Sequence, residues 1–151
     1  MDFTMTPVGF VRGGRAEVED DAWGSVTARI ELDGFAADAL LALGEFSHVE
    51  VLFVFDRVDP AGVCRGARHP RGRADWPLVG IFAQRAKDRP NRIGSTVCEV
   101  VAIDGAALEV RGLDAVDGTP VLDLKPYLAG FAPRGSVREP DWARELMDGY
   151  W

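Results

Sequence analysis

Between Ser25 and Leu32 the chain alternates strictly, with Val26, Ala28, Ile30 and Leu32 on one side and Ser25, Thr27, Arg29 and Glu31 on the other. Successive side chains of a strand point to opposite faces, so this period of two predicts a strand with one face in a core and one in water. Further runs rich in β-branched and aromatic residues lie at Pro7 to Arg12, Val49 to Phe55, Leu78 to Ala83, Thr96 to Ile103, Ala107 to Arg111 and Val121 to Leu124. Asp104-Gly105 supplies a hairpin turn between two of them. Helical signals are few. Phe35 to Leu43 reads as a short helix stopped by Gly44, and Pro140, followed by Trp142, Leu146 and Met147, reads as the start of a second. Short strands in such number leave open edges unless the sheet closes on itself. The expected fold is therefore mainly β, a closed or nearly closed antiparallel barrel with one or two short helices. Asp56 to Pro77 has no hydrophobic period and carries Pro60, Gly62, Gly66, Pro70 and Gly72, so it reads as a long loop of the kind that usually has a function.

At 151 residues the expectation is one domain spanning 1–151. Cys64 and Cys98 are the only cysteines and lie far apart, which suggests neither a disulfide framework nor a thiolate metal site. No stretch of about 18 apolar residues and no leader pattern occurs, so the reading is a cytoplasmic protein with no membrane span. The net charge of −7 opposes extensive non-specific binding to nucleic acid. Between Arg57 and Arg92, however, Arg65, Arg68, Arg71, Arg73, Arg85, Lys87 and Arg89 concentrate positive charge, enough for a local face that holds a phosphate-bearing ligand. No G-x-G-x-x-G opens a helix after a strand, no P-loop and no nucleophile elbow is present, and His48 and His69 are the only histidines. These absences disfavour dinucleotide chemistry, NTP hydrolysis, serine hydrolysis and a His-rich metal site.

Three stretches are more specific than a generic barrel requires: Gly44-Glu45-Phe46-Ser47-His48 leading into Val49 to Phe55, Val79-Gly80-Ile81-Phe82-Ala83-Gln84-Arg85 continuing to Arg89-Pro90-Asn91-Arg92-Ile93-Gly94, and Gly112-Leu113-Asp114-Ala115-Val116-Asp117-Gly118-Thr119-Pro120 through Tyr127. In order and spacing they resemble the TrmO family, also called TsaA-like or YaeB-like, of tRNA adenine-N6 methyltransferases. The resemblance implies an S-adenosylmethionine (SAM)-binding β-barrel, commonly a homodimer. By matching positions it places cofactor contacts on Trp23, Gly24 and Ser25, on Asp56 and Arg57, on Arg85, on Ser95, and on Arg111, Gly112, Leu113 and Asp114. The chain departs from the family pattern at Asp56, Gln84, Arg92 and Ser95, where His, Thr, Pro and Leu are usual.

The chemistry of these residues agrees with such roles. Arg85 is suited to a forked contact with a carboxylate. Asp114 and Asp117 are acceptors for hydroxyl or amino groups, although Asp-Gly-Thr-Pro is also good turn chemistry. Trp23 is suited to stacking or to packing. His69, Arg89, Asn91, Asp117, Lys125 and Tyr127 are the substrate-binding candidates, by phosphate contact, base-edge hydrogen bonding or stacking. Methyl transfer from a sulfonium to nitrogen depends on alignment and demands no strong base, so no catalytic residue is assigned. The acceptor implied is N6 of a threonylcarbamoylated adenosine beside the tRNA anticodon. The alternatives are a small molecule or another RNA as acceptor, or a SAM-binding module without catalysis.

Overall fold

In the computed structural model, which describes all 151 residues, the N-terminal apolar pattern forms strands β1 (Gly9–Arg12) and β2 (Thr27–Leu32). Then follow β3 (His48–Val54), a two-stranded ribbon of β4 (Ala67–Arg68) and β5 (Val79–Gly80), β6 (Ile93–Asp104), β7 (Ala107–Arg111), β8 (Pro120–Pro126) and one α-helix, α1 (Asp141–Met147). Six antiparallel strands close into a barrel in the order β1-β2-β7-β6-β3-β8, with β8 returning to β1. The closed antiparallel barrel expected from the strand pattern is the observed architecture. No helix is long and apolar enough to cross a membrane.

The period of two sets which side chains fill the barrel. On β2, Ala28 and Ile30 are buried while Thr27 and Glu31 are exposed. Val49, Val51 and Phe53 of β3, Leu108 and Val110 of β7, Val121 of β8 and Leu113 meet them in one core. Asp104 pairs with Ala107 across the β6–β7 hairpin, where Gly105 takes the positive φ of 60° that the turn requires. Gly94 is needed for a different reason. It lies opposite Phe53 in the β3–β6 register, and a Cβ there would stand 2.5 Å from the Phe53 ring, which also meets Phe55 edge to face at 5.3 Å.

Three local expectations are corrected. Phe35 to Leu43 is not a helix but two 3-10 turns, Ala37–Leu40 and Leu43–Glu45. Ala42, between them, has the left-handed φ of 66°, which ends the hydrogen-bond ladder before it grows long enough to offset nucleation. Leu78 to Ala83 is not a barrel strand: only Val79–Gly80 pairs, and Ile81–Ala83 coils into a 3-10 turn that buries Ile81 and exposes Phe82. Asp56 to Pro77 is not all loop. It holds 3-10 turns at Pro60–Gly62 and Pro70–Gly72 and the strand β4, and the Gln84 side-chain amide links β4 to β5 by donating to the carbonyls of Arg68 (3.1 Å) and Val79 (3.0 Å).

Candidate functional site

A partly buried polar cluster lies where β6 begins and β7 ends. Thr96 is on the inward face of β6, almost fully buried, and its hydroxyl donates to the Asp114 carboxylate. Asp114 comes three residues after β7. The chain reverses at Gly112 (φ 82°), whose N–H donates to the Val26 carbonyl at 2.9 Å, and the fully buried Leu113 pins the segment. The other carboxylate oxygen of Asp114 accepts from the hydroxyl of Tyr150. Burial first, and the Asp114 charge second, push the Tyr150 hydroxyl well above the usual phenol pKa, while Arg71 and Arg85 pull it down, so both cations lie within electrostatic reach of this point. The Arg85 guanidinium donates to the Ser95 carbonyl, and the Ser95 hydroxyl donates to Glu50 at 2.7 Å. Arg85 follows a 3-10 turn instead of ending a strand.

The Ala22 to Ser25 segment forms the next wall. Trp23 is 3% exposed, its indole N–H reaches the Glu19 carbonyl at 3.2 Å, and Arg15 stacks 4.4 Å from the ring centroid. Its ring is engaged in packing. The backbone N–H groups of Ala22 and Trp23 donate to the carbonyls of Gly149 (2.9 Å) and Tyr150 (2.8 Å). A Cβ on Gly24 would stand 2.7 Å from the Trp151 carbonyl carbon, so glycine permits this close approach of two backbones. Ser25 is exposed.

The remaining candidates divide. Arg57 donates to the carbonyls of Ala16 (2.7 Å) and Asp117 (3.0 Å), and the Asp117 carboxylate accepts from Gly13 N–H at 2.9 Å, so this pair fastens loops to one another, beside the exposed Asp56. Arg111 pairs with Glu99 at 2.8 Å. His69 Nδ1 donates to the Trp76 carbonyl at 2.7 Å, Arg89 donates to the Gln84 carbonyl at 2.6 Å, and Asn91 occupies a turn at φ 62°. Lys125 pairs with Asp123 on β8, opposite Glu50, and Tyr127 stands partly exposed two residues on. The structure thus brings Arg85, Ser95 and Asp114 together around Thr96 and Tyr150, with Trp23 and Gly24 alongside.

The local basic face expected between Arg57 and Arg92 is partly neutralised by ion pairs. Arg68 is held by Asp88 through both terminal nitrogens, Arg71 by Asp21 at 2.8 Å, and Arg73 by Asp75 while stacked 4.0 Å from the Trp76 ring centroid. The exposed Arg65 and Lys87 are held by no such ion pair, and their neighbours Cys64 and Asp88 are joined by a backbone bond from the Cys64 N–H to the Asp88 carbonyl (2.8 Å).

Thr96, Glu50 and Tyr150 were absent from the sequence candidates. Thr96 had a signal, a polar residue at an inward position of an alternating strand. Tyr150 had none. The donor set fits SAM: an exposed guanidinium for its carboxylate, and a fixed carboxylate with lone pairs left over for its hydroxyl or amino groups. Burial and the Asp114 charge push the nearby Cys98 thiol up to about 12 and it is 1% exposed, so this thiol stays protonated.

A sequence profile of the tRNA-methyltransferase O N-terminal domain matches residues 18–132. The human tRNA (adenine(37)-N6)-methyltransferase is 38% identical over 102 residues, covering 68% of this chain and 23% of that protein. The enzyme of the same name from Escherichia coli K12 is 43% identical over 98 residues, covering 61% of this chain and 40% of its own. A probable S-adenosyl-L-methionine-binding protein from Methanothermobacter thermautotrophicus is 36% identical over 135 residues, with 84% of this chain and 91% of the relative covered. The crystal structure of TrmO from P. aeruginosa superposes with a TM-score of 0.75 at 28% identity, covering 94% of this chain and 62% of that one. The chain therefore spans about a quarter of the human relative's length and two fifths of the E. coli one.

Proposed function

Because the chain belongs to the tRNA-methyltransferase O N-terminal domain family, we propose that it is a SAM-dependent methyltransferase acting on N6 of an adenine in tRNA, its 151 residues working as one domain. The observation that carries the proposal is the grouping of Arg85 with an Asp114 carboxylate held by Thr96, at the barrel end that the family motifs frame. Arg85 takes the carboxylate of SAM, Asp114 accepts from its hydroxyl or amino groups, and the backbone at Gly112 lies beside them. SAM supplies a methyl group on a sulfonium, so that transfer forms a nitrogen–carbon bond, leaves the broken bond's electron pair on sulfur as S-adenosylhomocysteine, and releases a proton from nitrogen. The protein's task is alignment.

The finer readings belong to the same proposal. An acceptor adenosine carrying a threonylcarbamoyl group brings a carboxylate of its own, and Arg89, whose guanidinium donates to the carbonyl of Gln84 next to Arg85, is a cation near the site. A homodimer is supported by an apolar groove of about 330 Å³ lined by Leu32, Leu40, Leu43 and Phe46 and bordered by the exposed Phe35 and Leu41. Free Cys64 and Cys98 agree with a reducing, cytoplasmic setting.

Calorimetry tests the cofactor. Heat of binding is expected with SAM and none with NADH; no heat with SAM from folded protein at high concentration would contradict the proposal. The charge pattern adds a prediction about RNA. Reversing Arg65 and Lys87 to Glu together should weaken tRNA binding at least about tenfold at low salt and flatten the log–log salt dependence by about two, while SAM binds as before. Unaltered tRNA binding with the original salt slope would place RNA recognition elsewhere.

A further inference from the structure

We propose that Tyr150 is a positioning residue of the cofactor site, its hydroxyl fixing the Asp114 carboxylate from the side opposite Thr96. The inference rests on the reading of Asp114 as a cofactor contact and extends it to the segment 141–151, which lies beyond the residues 18–132 that the family profile matches.

Three sets of contacts bring this segment to the site. The Trp76 indole donates to Glu145 of α1 at 2.8 Å, and the Trp76 and Trp142 rings lie 6.5 Å apart, which docks the helix on the 69–76 loop. The Gly149 and Tyr150 carbonyls accept from Ala22 and Trp23, extending the Ala22 to Ser25 wall by a strip of paired backbone. Trp151 packs edge to face on Tyr150 at 4.8 Å, and its backbone lies against Gly24. The phenol is thus placed by Trp151 on its ring and by Trp23 on its backbone, and its hydroxyl donates to one carboxylate oxygen while Thr96 donates to the other. A carboxylate bonded at both oxygens is restrained from rotating, and each oxygen keeps a lone pair for a ligand. Removing one grip leaves Asp114 free to turn away, so the cost falls on cofactor binding.

The test uses the full chain and measures the SAM dissociation constant, the melting temperature without ligand, and KM for SAM against kcat. Tyr150→Phe keeps the ring and its packing. It is expected to raise the dissociation constant and KM about tenfold, with kcat at saturating SAM within twofold of wild type. Trp76→Phe, which loosens α1 without touching the phenol, is expected to lower the melting temperature and leave the dissociation constant within twofold. Equal weakening by both variants would overturn the proposal, because docking of the segment and not the phenol would then be responsible. Tighter SAM binding in Tyr150→Phe would overturn it too, by making Tyr150 a competitor for Asp114. Asp114→Asn separates the two layers: if it weakens SAM binding and Tyr150→Phe does not, the role of Tyr150 fails alone. If Asp114→Asn binds SAM like wild type, the placement of Asp114 in the cofactor site fails and takes this inference with it.

Discussion

Arg85→Ala is expected to bind SAM roughly 30-fold more weakly, a loss on the order of 2 kcal/mol, with little change in melting temperature. The guanidinium is exposed and spends one N–H on the Ser95 carbonyl, which orients it and leaves its other donors free for a carboxylate. Solvent screening at an exposed position keeps the expected loss at the lower end for a charge-assisted bond. Arg85→Lys should recover only part of the affinity, because a point charge replaces a planar fork. The measurement is the SAM dissociation constant beside the ligand-free melting temperature. A variant that melts lower yet binds SAM as tightly as wild type would make Arg85 a structural residue.

Phe53→Ala is expected to cost about 3–5 kcal/mol of stability, roughly 6–20 °C in melting temperature for a chain of this size. Phe53 is 1% exposed, packs edge to face with Phe55, and fills the space that Gly94 leaves open on the facing strand. The cavity has nowhere to collapse, because a closed barrel cannot draw its strands together on one side only. Val97→Ala, 43% exposed on β6, is the control and should shift stability by no more than about 0.5 kcal/mol. Calorimetric unfolding of both variants decides the matter. Similar losses in the two would mean that the barrel interior is not the main source of stability.

The barrel was legible because its strands carry strand chemistry: on β2 the inward Ala28 and Ile30 follow from the period of two, and the runs that hold Val49, Val51, Leu108 and Val110 follow from their β-branched and apolar composition. The segments that misread are those where pairing partners or backbone angles decide. The run at Leu78 to Ala83 has strand composition, but all six barrel positions are filled by other strands, so it coils after two paired residues. Ala42 takes a left-handed conformation that nothing in an alanine-rich stretch announces. Of the candidate site, Arg85, Ser95 and Asp114 came from motif positions, and the structure brings them together. The ion pairs that neutralise Arg68 and Arg71 join residues 20 and 50 positions apart, and the Asp114–Tyr150 contact joins residues 36 apart. Such pairings have no local signature, so the basic run looked freer than it is and Tyr150 went unnoticed.

Methyl transfer to adenine N6 is the activity proposed for the site. The direct measurement incubates the purified chain with methyl-labelled SAM and unmodified-at-methyl tRNA, then digests the RNA and separates its nucleosides by mass spectrometry. Label is expected on N6 of an adenosine, with S-adenosylhomocysteine formed in equal amount and both lost in Asp114→Ala. SAM bound without turnover, or label on any atom other than an adenine N6, would contradict it.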